Sequence, residues 1–217
     1  MEENLTSVLS SHPFLSLRSL IASVLPDTSN PNSSSVNPEG VPLSVACLRS
    51  LANVAAMDVK RFQILCKGEV NKGWEGGGGY LEFNYVCNVI LSAPLDAPVE
   101  ECLKWCVVLI GLYVVCNPNN QQRLHWGGGG EGQTLLSKLS SMPFQYFCDP
   151  SKKEVLFPTL IVACLDNETN KAAIEEDLNP ELLACFLREK MRAVESGGEG
   201  EEEEREEWMK AVQCSKR

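Results

Sequence analysis

The residues of this chain whose types could do chemistry are ten cysteines, two histidines, two glycine runs and a set of asparagines. Cys102 and Cys106 are four apart, so on a helix they share a face, close enough to hold a metal together or to react with each other. A tetrahedral zinc site needs further ligands, and neither a Cys-x-x-Cys pair nor a histidine at ligand spacing accompanies them. The pair reads as two core thiols; a small cysteine-dependent metal-binding or redox regulatory protein is the alternative. His12 precedes a proline in a polar terminal stretch, and His125 sits between Leu124 and Trp126 beside a glycine run. General acid–base work needs a positioned partner, and no nucleophile motif lies near either histidine. Gly127–Gly130 is followed by Glu131-Gly132-Gln133-Thr134, where a phosphate loop ends in Gly-Lys-Ser/Thr. Glu131 would repel the phosphate that such a lysine attracts. The expectation is a chain with no catalytic residue, no metal site and no cofactor.

The asparagines are the sharper candidates. Asn53 and Asn88 lie within helical patterns, where an amide side chain can pair with an extended peptide backbone through both its donor and its acceptor. They are the expected partner-binding residues. Asn120 and Asn170 fall in polar turns and are expected to bond the turn backbone.

These side chains need helices to position them, and the clearest run over Leu135–Leu187. Leu135–Leu139 ends at Met142-Pro143. Asp149-Pro150 reads as a helix start, because Asp caps free N–H groups and Pro suits the first helical position. Val155–Leu165 is apolar almost all round, as a buried helix is, with a kink or break expected at Pro158. Asp166–Asn170 is a turn signal, Lys171–Leu178 an amphipathic stretch, and Asn179-Pro180 a restart with Leu182, Leu183 and Phe186 on one face. Upstream, helices are expected over Leu5–Leu9, Phe14–Leu25, Leu43–Cys66, Glu82–Ser92 and Val99–Cys116, with Gln121–Trp126 opening another. In Leu43–Cys66, the apolar positions 48, 51, 54 and 55 with Asn53 on the flank resemble the inner helix of armadillo-type repeats.

A repeat is legible. Ile110 and Leu160 are fifty residues apart, as are Asn120 and Asn170, and Leu124 and Ile174 follow those asparagines by four. Leu136 and Leu183 differ by 47, and a poorer copy runs from Leu48 through Asp58 to Phe62. The period lies close to that of armadillo and HEAT repeats. The expected fold is therefore all-α: a short right-handed armadillo/HEAT-like α-solenoid of a few helical repeats. It forms one domain over 1–194, with flexible Gly/Ser/Pro-rich inserts at 26–42, 67–79 and 127–134. An acidic tail with room for a short helix follows over 195–217.

Composition bounds the function. The 217 residues are 44% hydrophobic and 22% charged, as in a globular chain with polar inserts. The net charge is −10, and Glu199–Glu207 holds seven of the 29 acidic residues. No basic stripe exists to displace counterions, so direct nucleic-acid binding is not expected. The longest apolar run, Trp105–Cys116, is well short of the ~20 residues that span a bilayer, and no signal peptide follows Met1. Most cysteines lie inside apolar helical runs, which points to reduced thiols in the cytoplasm.

The runs MPFQYFCDP, VLFPTLIVACLDNETNKAAIE and LIGLYVVCNPNNQ carry a resemblance. Over roughly Leu15–Leu187, and most strongly from Val107 onward, the chain resembles the C-terminal helical region of the S-phase cyclin A-associated endoplasmic-reticulum family. The resemblance implies a protein-interaction adaptor. That family is linked to cyclin A–kinase binding, to endoplasmic reticulum association, and to tubulin messenger-RNA decay, in which ribosome-bound factors are bridged to a deadenylase complex. Its members are much longer than this chain, so a fragment or short homologue is expected. Location would be cytoplasmic, with any endoplasmic reticulum association made through partners or a longer parent chain.

Overall fold

The computed structural model describes Val24 and residues 39–66, 82–93, 97–125 and 133–195. The expected helix over 5–9, that over 14–25 except Val24, the insert 67–79, most of the inserts 26–42 and 127–134, and the acidic tail lie outside these residues. The described chain is all-α, in the order α1 Val41–Met57, α2 Val59–Cys66, α3 Glu82–Ser92, α4 Ala97–Val114, α5 Pro118–Arg123, α6 Leu135–Ser140, α7 Gln145–Cys148, α8 Pro150–Cys164, α9 Glu168–Asp177 and α10 Pro180–Glu195.

The expected starts and stops have local causes. The Asp149 carboxylate accepts the Ser151 and Lys152 N–H groups and caps α8. Leu43–Cys66 is not one helix. Asp58 ends α1, and its side chain accepts the Arg61 N–H to begin α2. The turn after α4 is shorter than its polar run suggests: Asn117 already caps α5, so Pro118 and Asn120 are helical. Asn167 caps α9 in the same way. Helix α8 runs on through Pro158 without a break. Close packing against α4 holds it there: a Cβ on Gly111 would lie 2.7 Å from Thr159 Oγ1, and the Thr159 hydroxyl donates to Val107 O at 3.0 Å.

Three long helices, α1, α4 and α8, each lead into a short one, α2, α5 and α9, across a tight turn. Helix α4 packs between α1 and α8, and α3 packs against both α4 and α6. The core fills the space between, with Leu48, Ile90, Leu109, Ile110, Leu124, Leu136, Leu156 and Leu160 all at most 1% exposed. Phe83 links two layers, edge-on to Phe62 at 5.8 Å and tilted against Tyr113 at 4.8 Å.

The fifty-residue offset is atomic. Cys116 and Asp166 both adopt left-handed backbone, at φ 53° and 55°. The Asn120 amide donates to Tyr113 O at 2.8 Å and the Asn170 amide to Ala163 O at 2.6 Å. Gln63 of α2 donates to Leu112 O and Val115 O at the end of α4; Gln121 of α5 donates to Val162 O and Leu165 O at the end of α8. The ends of α4 and α8 leave carbonyls without intrahelical partners, and a glutamine from an earlier short helix satisfies two on each. Asn117 and Asn167 complete each rung by donating to the glutamine oxygen.

Candidate partner-binding face

The long helices share an outward stripe. On α1 it is Ala46, Ser50 and Asn53, all exposed; on α4 Trp105, Val108 and Leu112, half-buried; on α8 Val155, Pro158 and Val162, half-buried. Trp105 ties the stripe together. Its ring lies 5.9 Å from the Arg49 guanidinium of α1 and 5.6 Å from the Lys104 ammonium, and its indole N–H donates to Glu101 Oε1 at 2.9 Å. Cations over an indole face are held by the ring quadrupole, so the half-buried Trp105 ring seats both charges. A cleft of about 240 Å³ continues the stripe to α8, lined by Glu100, Glu101, Lys104, Tyr146, Ser151, Lys152 and Val155. The volume falls short of the ~300–1,000 Å³ of small-molecule sites, and suits single side chains.

Asn53 lies exposed on α1, within the stripe. Asn88 is half-buried on α3, where its side-chain oxygen accepts from Lys138 Nζ at 3.0 Å. Lys138 also donates to Ser92 Oγ at 2.6 Å, so Asn88 helps to join α3 to α6. Burial pushes the Lys138 ammonium below its usual range. The two asparagines thus sit on different helices of the packing, and one is already engaged. Asn120 and Asn170 reach back past the turn to the preceding helix, while Asn117 and Asn167 bond the turn itself. Trp105, Glu100, Glu101, Tyr146 and Lys152 are not singled out by sequence pattern. The available signal is local: Glu101 and Trp105 four apart on one helix.

His12 lies outside the described residues. Asn170 donates through Nδ2 to two carbonyls, so its Oδ1 is the acceptor and His125 Nε2 carries the proton toward it. Cys102 and Cys106 are at most 1% exposed. Burial, then the neighbouring Cys106 and Glu101, pushes the Cys102 thiol up to about 11. Burial, then a hydrogen bond with Cys106, raises the Cys87 thiol well above the usual range. These groups stay protonated near neutral pH, whereas metal binding and thiol exchange both need the thiolate. None of the nine described cysteines is in a disulfide, and Cys116, Cys148 and Cys185 are exposed. Iodoacetamide on native protein at pH 8 is expected to label those three within minutes and leave Cys66, Cys87, Cys102 and Cys106 unlabelled, as read by peptide mass spectrometry. Rapid labelling of Cys102 and Cys106 would revive the cysteine-dependent alternative.

Among the described residues no helix is long and apolar enough to cross a membrane. No protein-family model matches the chain. It is 32% identical over 149 residues to the human protein described as S phase cyclin A-associated protein in the endoplasmic reticulum. The match takes in 69% of this chain and 10% of the relative, so it spans about a tenth of that protein's length. Over most of its length, then, the chain is similar to a segment of S phase cyclin A-associated protein in the endoplasmic reticulum.

Proposed function

We propose that this chain is a non-catalytic interaction scaffold: a short armadillo/HEAT-like α-solenoid that holds partner proteins on the face of α1, α4 and α8. The carrying observation is the arrangement around Trp105, a half-buried aromatic on the middle one of three side-by-side helices, with Arg49 of α1 against its ring and a cleft toward α8 lined by the neighbouring Glu101 and Lys104. Half-exposed apolar surface rimmed by charge is what a protein interface uses, with a large aromatic as its anchor. The solenoid reading draws on the three long-helix–short-helix units and on the glutamine rungs whose acceptor carbonyls, Leu112 and Val115, then Val162 and Leu165, lie fifty residues apart, since each such unit buries its apolar face only by stacking on its neighbours. The buried thiols and the structural engagement of His125 support a role without catalysis.

The matched relative is named for association with cyclin A and with the endoplasmic reticulum, so protein partners of this kind are carried to the chain. Candidate partners are a cyclin A–kinase complex and, from the wider resemblance, ribosome-associated and deadenylase factors. The net charge of −10 favours contact through proteins over direct contact with RNA. Tagged 1–217 purified from cells is expected to recover a defined partner set that resists RNase. Recovery that vanishes on RNase treatment would contradict the protein-mediated reading.

A further inference from the structure

Helix α1 buries one side, through Val41, Ser44, Leu48, Ala52 and Ala55. On another side Leu43, Cys47, Ser50, Val54 and Met57 recur at intervals of four, three, four and three. That is the 3.5-residue period with which two helices wind together. Cys47 is half-buried and the other four are exposed, Leu43 to 56% and Met57 to 86%. Scattered exposed apolar side chains need no explanation, whereas a row at seam spacing along a whole helix points to a second helix.

The charges say which helix. Over Val41–Met57 the one charged residue is Arg49, and its guanidinium lies against Trp105. An uncharged surface with exposed Leu, Val and Met has the composition of an interface centre. Charges stand at the two ends of the row, Glu39 before it and Lys60 and Arg61, all exposed, after it. A copy of α1 laid parallel puts Glu39 beside Glu39 and cations beside cations. Laid antiparallel, the same copy brings opposite charges together at both ends and uncharged residues together between them. The row is its own complement when reversed, which is the property of a two-fold contact.

We infer that two copies of this chain pair through α1, antiparallel and about a two-fold axis. Leu43 of one copy packs against Val54 of the other, and Cys47 against Ser50 beside the axis. Met57 covers the start of the other α1, where Lys60 comes beside Glu39. One helix pair is a small interface, so the dimer is weak and reversible, with a dissociation constant in the micromolar range or above. The pairing does not draw on the partner-face reading. It uses Leu43, Val54 and Met57, which lie off the partner stripe, and shares Ser50 with it.

Sedimentation velocity of 1–217 from about 1 μM to about 1 mM is expected to show a monomer–dimer equilibrium. Val54→Glu with Met57→Glu, at two exposed positions, is expected to weaken the dimer at least about tenfold, because four carboxylates then meet in an uncharged seam, and to leave the melt unchanged. Disulfide trapping reads the orientation, with wild type as the background for the native thiols. An oxidised mixture of Leu43→Cys and Val54→Cys is expected to give a mixed dimer joined through the introduced thiols, absent when either variant is oxidised alone. A monomer throughout, as when the chain's own Phe14–Leu25 occupies the row, would overturn the inference. So would a dimer indifferent to the double glutamate variant, or Leu43→Cys copies that link to each other. Loss of co-purified partners on substitution around Trp105, with the dimer absent, would leave the partner face standing and the pairing wrong.

Discussion

Asn170→Ala is expected to lower stability by about 2–4 kcal/mol. Asn170 is fully buried, and its amide donates to Ala163 O at 2.6 Å and to Gln121 O at 3.3 Å while its oxygen meets His125. Alanine leaves those groups behind without partners, and the desolvation cost of each falls on the folded state alone. The loss also loosens the junction of α5, α8 and α9, because Gln121 belongs to the rung that closes α8. In a chain of this size the change appears as a drop in Tm of about 10 °C. Asn120→Ala is expected to cost less. Among the described residues its amide makes one bond, to Tyr113 O, and its oxygen is unsatisfied, so removing that oxygen offsets part of the loss. Thermal melts of the two variants beside exposed Asn119→Ala, expected to be near neutral, check the order. Equal melting temperatures for all three would mean that the buried amides do not hold the helix junctions.

Much of the fold is legible in the sequence because its signals are local. Asp149-Pro150 and Asn179-Pro180 announce helix starts by capping chemistry, and the apolar face of α3 reads directly from Phe83, Val86, Cys87 and Ile90, each at most 2% exposed. The fifty-residue spacing of Asn120 and Asn170 identifies equivalent positions, although the bonds run to the preceding helix rather than to the turn. What the sequence hides is long-range. Gln63 and Gln121 are polar residues in short helices, and nothing local says that each is buried against the carbonyl end of a helix some fifty residues later. Val54 sits where an inner-helix pattern expects burial, yet it is 55% exposed. Asn88 reads as a free groove amide, and Lys138, fifty residues on, takes it. The cleft escapes sequence reasoning altogether: Tyr146 comes from a four-residue helix that only the packing of α7 on α8 carries toward Glu100.

The second large effect concerns binding. Trp105→Ala removes the half-buried aromatic of the central helix α4, together with the seats of Arg49 of α1 and of Lys104. Truncating a central aromatic of an interface costs 2 kcal/mol or more, so partner affinity is expected to fall about thirtyfold or further. Trp105 is half-buried, so a fold defect must be kept apart from a binding defect. Asn53→Trp does this, because it crowds the same stripe from an exposed position that supports no core residue. Met191→Ser, at a 61% exposed position on α10, is the matched control away from the face. The decisive measurement is quantitative mass spectrometry of proteins co-purified with tagged 1–217 from RNase-treated cells, wild type beside these three variants, each first confirmed as folded by its melt. The scaffold account predicts one partner set, held by wild type and Met191→Ser and lost from both Trp105→Ala and Asn53→Trp. Full retention by the two face variants would contradict it and move the binding surface off α1, α4 and α8.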